Sequence, residues 1–306
     1  MAHVLVTGAS GFIGRHLVPV LAARGHRVSE AGRHRRPGGG RFVAVGEIGP
    51  ATDWGEALSG VDAVVHLAGL AHREAAGAAE HFAVNEAGTR RLAEACAQAD
   101  VRTLVFLSSI AARDGAGAYG RSKRAAERHV LRLSEGQGCT GIVLRPPLVY
   151  GADAPGNWGR LLRLAASGVP LPFGQVANRR SLCAVENLCD AVATALAAGL
   201  GGAGSGIYEI ADREQVSLRD IVSWLRAGMG RPARLLPVPR GLLRVMAVAS
   251  GRRRLAAALL DDLTLDPGRF MQTFDWVPPE TAQAAIVRCG RLHVARGVSE
   301  AAWPEP

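Results

Sequence analysis

The segment Tyr119-Gly-Arg-Ser-Lys123 pairs a phenol with an ammonium four residues apart. On a helix those two side chains share a face. A nearby ammonium favours phenolate and lowers the phenol pKa toward working pH, which suits proton exchange with a substrate oxygen. Ser108-Ser109, just upstream, offers a hydroxyl that can hydrogen-bond the same oxygen. Lys123 is also the only lysine, the other 35 of 36 basic residues being arginine. Arginine is bulky and forked, whereas lysine is a compact point charge that fits a buried role beside a tyrosine.

A second cluster, Thr7-Gly-Ala-Ser-Gly-Phe-Ile-Gly14, follows the apolar run His3–Thr7 and opens a helical pattern. Glycines at 8, 11 and 14 permit a tight turn, close backbone approach and free N–H groups at a helix N-terminus. Those are the requirements of a dinucleotide pyrophosphate. The spacing is GxxGxxG, not GxGxxG, and its strand–turn–helix context supports the assignment. At the end of the second strand the acidic ribose ligand of an NAD site is replaced by Gly32-Arg33, and Glu30 sits two positions early. An arginine there suits a 2′-phosphate, so NADP is favoured and NAD remains open. In the rival reading, Arg33–Arg36 is a solvated basic turn.

These residues need a scaffold. Strand-like runs fall at Arg27–Ala31, Arg41–Val45, Val61–Leu67, Thr103–Ser108 and Gly141–Leu144. Helical patterns lie at Phe12–Arg24, where Pro19 predicts a kink, and around Ala75–Ala99 and Ala118–Ser134. Alternating βα units with continuous apolar strands predict an α/β, Rossmann-type doubly wound parallel sheet. After Tyr150 the texture changes. A strand Ser181–Val185, a helix Asn187–Ala198, a glycine-rich flexible loop Gly199–Gly206, a strand Ile207–Ile210 and a helix Leu218–Ala227 are expected. The expected division is a dinucleotide-binding domain over 1–150 with a return segment about 181–210. A smaller C-terminal α/β substrate lobe takes 151–180 and 211–306.

Composition narrows the class. At 306 residues, 48% hydrophobic and 21% charged, the chain can bury a core without staples. Apolar runs are too short to span a bilayer and no secretory leader is evident, so a cytoplasmic protein with no integral membrane segment is expected. Five cysteines, odd in number and without metal-ligand spacing, predict reduced thiols and no metal. The net charge of +9 could suggest nucleic acid, but aromatics make up only 5% and do not interleave with the basic runs Arg33–Arg36 and Arg252–Arg254.

The motifs at 8–14 and 119–123 resemble those of extended short-chain dehydrogenases/reductases of the NAD-dependent epimerase/dehydratase family. His66-Leu-Ala-Gly69, Asn85 with Gly88-Thr89, and Arg145-Pro-Pro-Leu-Val-Tyr-Gly151 match family positions too. Gly168–Gly174, Arg179–Leu182 and Trp276–Pro279 are similar to bacterial UDP-glucose or UDP-N-acetylglucosamine 4-epimerase-like proteins and 4-keto-sugar reductases of polysaccharide biosynthesis. The resemblance implies Tyr119 as general acid/base, Lys123 as its electrostatic partner and Ser109 as hydroxyl partner. It implies Gly8, Ser10, Gly11, Phe12, Ile13 and Gly14 at the pyrophosphate and Leu67, Ala68 and Gly69 along the cofactor. Pro146, Tyr119, Lys123 and Arg33 join them. Arg180 would meet a substrate diphosphate, while Asn157 and Phe173 would hold the nucleotide. A homodimer through the two long helices is implied as well.

The implied activity is redox chemistry at C4 of a UDP-hexose or UDP-N-acetylhexosamine, as 4-epimerase or 4-keto-sugar reductase. A dehydratase is disfavoured because Ile110-Ala-Ala112 replaces the acidic residues it needs. Two alternatives stay open: a non-catalytic dinucleotide-binding or sensing protein, and a reductase of a different small carbonyl. The stretch Ala111–Ala118 is shorter than in typical extended members, which is expected to open one wall of the site.

Overall fold

The computed structural model describes residues 1–35, 39–71, 77–115, 117–135, 138–251 and 253–301. Arg36, Ala75, Ala76, Ala116 and Arg252, which fall in stretches discussed above, lie outside them. Contacts divide the chain into two units. The first comprises 1–147, 185–210 and 266–277; the second comprises 148–184, 211–265 and 278–306.

Seven parallel strands form the sheet of the first unit: β1 (His3–Thr7), β2 (Arg27–Gly32), β3 (Arg41–Ala44), β4 (Ala63–His66), β5 (Thr103–Leu107), β6 (Thr140–Arg145) and, later in sequence, Gly206–Glu209. Their spatial order is β3-β2-β1-β4-β5-β6 followed by Gly206–Glu209. The expected Rossmann-type sheet is therefore present. β1, β4 and β5 are buried along their whole length because helices cover both faces. Leu5, Val64, Leu104, Phe106 and Val143 share one core with Leu92, Cys96, Ala126 and Val130 of the helices Gly88–Gln98 and Gly117–Arg132. A Cβ on Gly141 would meet the Val130 carbonyl oxygen at 2.1 Å, so glycine lets that second helix lie directly on β6. The chain order reverses between β1 and β4, and ligands of such sheets bind outside the strand ends at that switch point.

Three expected elements differ. The helix expected around Ala75–Ala99 is broken into Ala78–His81, a wider π-type turn Phe82–Ala87 and Gly88–Gln98. The π turn re-aims Asn85 inward, where its side chain finds polar partners. The glycine-rich loop is shorter than expected. Gly199 and Leu200 complete the helix Val185–Leu200, and Gly206 opens a strand. A Cβ on Gly199 would meet Thr103 Cγ2 at 2.5 Å, so the glycine serves close helix–sheet packing. The short stretch after Ser109 is also not all loop: Ala111–Asp114 forms a helical turn ended by Gly115 at φ +63°. Pro19 lies inside the helix Phe12–Ala23.

In the second unit two short parallel strands, β7 (Leu148–Tyr150) and β8 (Leu182–Ala184), pair beside a group of helices. The Tyr150 hydroxyl donates to Asp212 Oδ2 at 2.8 Å, and the Ala184 N–H donates to the other carboxylate oxygen at 2.9 Å. The helices Leu218–Gly228 and Ala282–Ala301 meet backbone to backbone. Added Cβ atoms on Gly228 and Gly290 would lie 2.0 and 2.2 Å from the facing carbonyl oxygens. Ser217 starts the first of these helices with a capping box closed by Asp220.

Candidate active site

The glycine turn lies at the C-terminal end of β1. Gly8 has φ +73°, and a Cβ there would meet the Ala68 N at 2.7 Å. A Cβ on Gly14 would strike the Gly8 carbonyl oxygen at 2.4 Å, so the helix Phe12–Ala23 starts against the turn itself. Gly11 caps that helix without a side-chain hydrogen bond, and Ser10 and Gly11 are exposed. The first-turn N–H groups, including those of Phe12 and Ile13, lack carbonyl partners within the helix and face an anion favourably. Leu67 and Ala68 are half-buried beside Gly8, and Gly69 is exposed.

Behind this turn runs a buried polar chain. The Ala68 N–H donates to Thr7 Oγ1 at 3.3 Å, and Thr7 Oγ1 lies 2.6 Å from His66 Nδ1. His66 Nε2 is 3.1 Å from Thr89 Oγ1, which donates to the Asn85 carbonyl at 2.6 Å. One arrangement satisfies every member: neutral His66 with its proton on Nε2. Burial, reinforced by the Lys123 charge, pushes His66 down to about 3, consistent with a neutral ring. The Asn85 amide accepts from the Leu70 N–H at 2.7 Å and donates to Ser122 Oγ at 3.0 Å. Ser122 donates in turn to the Tyr119 carbonyl at 2.9 Å. Asn85 thus ties the loop after β4 to the helix that carries Tyr119.

Tyr119, Ser122, Lys123 and Glu127 lie on the helix Gly117–Arg132. Lys123 is buried. Its Nζ donates to the Leu107 carbonyl at 2.9 Å and lies 4.5 Å from the Phe106 ring centre. Burial pushes Lys123 down to about 8, against the pull of the Glu127 carboxylate. The Tyr119 phenol, half-buried, is raised by burial, while a hydrogen bond with Ser109 works the other way. The expected lowering of the phenol by Lys123 is therefore not what the structure shows. The ammonium is turned to the end of β5, and desolvation of the phenol dominates. Ser109 Oγ also accepts from the Ala111 N–H at 3.3 Å.

Ser108 faces elsewhere. Its hydroxyl donates to Glu127 Oε1 at 2.5 Å. Arg145 grips the same carboxylate through Nε at 2.8 Å and Nη2 at 2.5 Å. Pro146 is buried, and its carbonyl accepts from the Ile110 N–H at 3.0 Å. Glu127 was not among the sequence candidates. Its signal was available: it continues the i, i+4 series from Tyr119 and Lys123, and an arginine ends a neighbouring strand.

Arg33 stands just after β2 with its side chain 55% exposed, 3.2 Å from Glu47 Oε1. Glu30 is buried within β2. The remaining candidates lie in the second unit. Asn157 is exposed near the start of the helix Gly156–Ala166, and Phe173 is half-buried. Arg180 is half-buried and its Nη1 donates to the Asp261 carbonyl at 2.7 Å.

With this geometry in view, the comparisons are specific. Residues 4–211 match the model of the NAD dependent epimerase/dehydratase family. The chain belongs to that family. It is an enzyme of the extended short-chain dehydrogenase/reductase type. It is 31% identical to a UDP-glucose 4-epimerase of Vibrio cholerae over 304 residues, 92% of each chain. It is 30% identical to a ceramide reductase of Caulobacter vibrioides over 92% of this chain and 87% of that one. A solved UDP-N-acetylglucosamine 4-epimerase from Bacillus cereus shares the fold at TM-score 0.77 and 20% identity, over 96% and 100% of the two chains.

The family's dinucleotide fits the residues present. The glycine turn keeps backbone atoms where any side chain would collide, beside a helix start with open N–H groups. At Gly69 an added Cβ would lie 3.1 Å from Lys123 Nζ, so the missing side chain leaves the ammonium open to that loop. Among the described residues no group of three His, Cys, Asp or Glu could hold a metal ion, and the five buried cysteines form no disulfide. No helix among those residues is long and apolar enough to cross a membrane.

Proposed function

We propose that this enzyme carries out NAD(P)-dependent redox chemistry at C4 of a nucleotide sugar. The substrate is a UDP-hexose or UDP-N-acetylhexosamine, and the outcome is 4-epimerisation or reduction of a 4-keto sugar. The observation that carries this reading is that one helix, Gly117–Arg132, presents the Tyr119 phenol and buries Lys123, with its ammonium on the Leu107 carbonyl at the end of the strand that Ser109 follows. The whole-length similarity to the Vibrio cholerae 4-epimerase supports the substrate class.

NAD(P), when bound, takes or returns the hydride at the reacting carbon. The chain's own residues handle the proton. Tyr119 exchanges it with the C4 oxygen, and Ser109 hydrogen-bonds that oxygen while it changes between hydroxyl and carbonyl. Lys123, whose ammonium rests on the Leu107 carbonyl, is assigned as the positive charge that would favour phenolate once turned toward Tyr119 as it gives up its proton. Gly8, Ser10, Gly11, Phe12, Ile13 and Gly14 hold the pyrophosphate, and Leu67, Ala68, Gly69 and Pro146 line the rest of the dinucleotide. Residues 1–150 with the return segment 181–210 act as the cofactor domain. Segments 151–180 and 211–306 act as the substrate lobe, with Arg180 at the diphosphate and Asn157 and Phe173 at the nucleotide.

Arg33 favours NADP and with it the reductase outcome. It follows β2 with its side chain half-exposed, and its ion pair to exposed Glu47 is one that a 2′-phosphate would have to displace. The protein works in the cytoplasm as a homodimer built on the helices Gly88–Gln98 and Gly117–Arg132. The deciding experiment incubates the protein with UDP-glucose and UDP-N-acetylglucosamine, and separately with a UDP-4-keto sugar and NADPH. Isomerisation without net cofactor change indicates the epimerase; one NADPH consumed per keto sugar indicates the reductase. Failure of every UDP-sugar to bind overturns the substrate class. Arg33→Ala should weaken NADP about tenfold more than NAD, and equal losses would refute the 2′-phosphate role.

A further inference from the structure

Charge is distributed unevenly along the chain. Residues 221–260 hold eight arginines (226, 231, 234, 240, 244 and 252–254) and no Asp, Glu or Lys. Against a net +9 for the whole chain, these forty residues carry nearly all the excess. Inside the stretch lies the helix Arg240–Ala249, which has no buried residue at all. Leu242, Val245 and Met246 are 52, 65 and 58% exposed. Together with exposed Ala249 they fall at i, i+3, i+4 and i+7, so they form one continuous apolar stripe. The opposite side holds half-buried Leu243 and Ala247 and packs on the helix Arg253–Leu260. Arg240 and Arg244 are turned to that side too, where Asp261 pairs with both. The stripe is therefore free of the helix's own charges. Exposed arginines precede the helix: Arg234, and Arg231, whose guanidinium also donates to the Ala166 carbonyl.

An exposed apolar stripe in an arginine-rich segment fits a surface that is both apolar and anionic. An acyl boundary accepts Leu, Val and Met, and phosphate headgroups accept guanidinium. A second copy of this chain is a poorer occupant, because symmetric pairing sets two arginine-rich segments against each other. A nucleic acid would use the arginines and leave the stripe in water. We propose that the helix Arg240–Ala249 is a membrane-surface anchor, lying in the headgroup plane of an anionic bilayer with Leu242, Val245 and Met246 toward the acyl chains. This goes beyond the proposed activity and does not depend on it.

The test is co-sedimentation of the full chain with vesicles of phosphatidylglycerol and phosphatidylcholine, against phosphatidylcholine alone. Binding to the anionic vesicles at low salt should exceed binding to neutral ones by at least about tenfold and fall as salt rises. The double substitution Leu242→Glu, Met246→Glu should reduce it by about tenfold or more while turnover in solution stays unchanged; Met246→Leu should keep it. Three results would overturn the proposal. One is no binding to anionic vesicles at low salt. Another is undiminished binding by the double variant, which would mean arginine adsorption without the stripe. The third is a wild-type dimer that the double variant dissociates, which would make the stripe a self-association surface.

Discussion

Among the described residues each unit buries one large cation, and the two are held differently. Arg226, in the second unit, sets its guanidinium on backbone carbonyls: Ala165 at 3.2 Å, Val169 at 2.6 Å, Arg234 at 3.3 Å, and Ala233. That fork joins the end of one helix to two loops, and its planar donors are engaged with the backbone. Lys123, in the first unit, gives one of its three donors to the Leu107 carbonyl and sits against side-chain-free Gly69. A cation whose donors are taken by the backbone builds structure. One that is buried with donors to spare, one helical turn from Tyr119, is available for chemistry.

The sharpest way to break that contrast is to remove the phenol hydroxyl next to the available cation. Tyr119→Phe should lower turnover by about 10³-fold, within the range lost with a general acid/base. Dinucleotide affinity should stay within about twofold, because the glycine turn is untouched. Steady-state kinetics with fluorescence titration of the cofactor reads both; near-normal turnover would remove Tyr119 from the chemistry.

Exchanging the two cation types tests the comparison from both ends. Lys123→Arg should cost about 10²-fold in turnover, since a fork does not fit between Leu107, the Phe106 ring and Gly69. Its denaturation midpoint should move little by comparison. Arg226→Lys should do the reverse. A single ammonium cannot span carbonyls contributed by Ala165, Val169 and Arg234, and orphaned carbonyls should lower stability by about 2 kcal/mol. Turnover per folded molecule should be preserved. Urea unfolding alongside kinetics separates the two effects, and a catalytic loss for Arg226→Lys at full stability would erase the distinction.

The same contrast explains what the sequence made legible. Lys123 stood out because it is unique in composition and four residues from a tyrosine. The sheet was legible because its central strands β1, β4 and β5 are short, mostly apolar runs that alternate with helical patterns. Arg226 gave no signal, since an arginine on an amphipathic helix reads as surface until distant carbonyls close on it. Glu127 was legible only by its i, i+4 place after Lys123; its partners, Ser108 just after β5 and Arg145 at the end of β6, are brought to it by the fold. The π turn at Asn85 was illegible because its cause is tertiary, a side chain drawn to Leu70 and Ser122. Gly199 misled because a glycine run reads as loop, whereas this glycine serves contact with Thr103.

Glu127→Gln is the smallest and most diagnostic step. The carboxylate sits one helical turn beyond Lys123 and opposes the burial that pushes the ammonium down to about 8. An amide of the same shape keeps one acceptor oxygen for Ser108 and Arg145 Nε, while its NH2 meets the Arg145 Nη2 donor, so a urea midpoint measured alongside the rates checks that the fold persists. Without the negative charge, burial acts unopposed and Lys123 loses its proton at lower pH. The charge that favours phenolate is then lost sooner as pH rises, so the alkaline limb of kcat/KM must move down, not up. At neutral pH the loss should be less than about tenfold, growing toward pH 8, with little change on the acid side. A pH–rate profile whose alkaline limb stays where it is in the wild type would show that Glu127 supports only packing and does not hold the Lys123 proton.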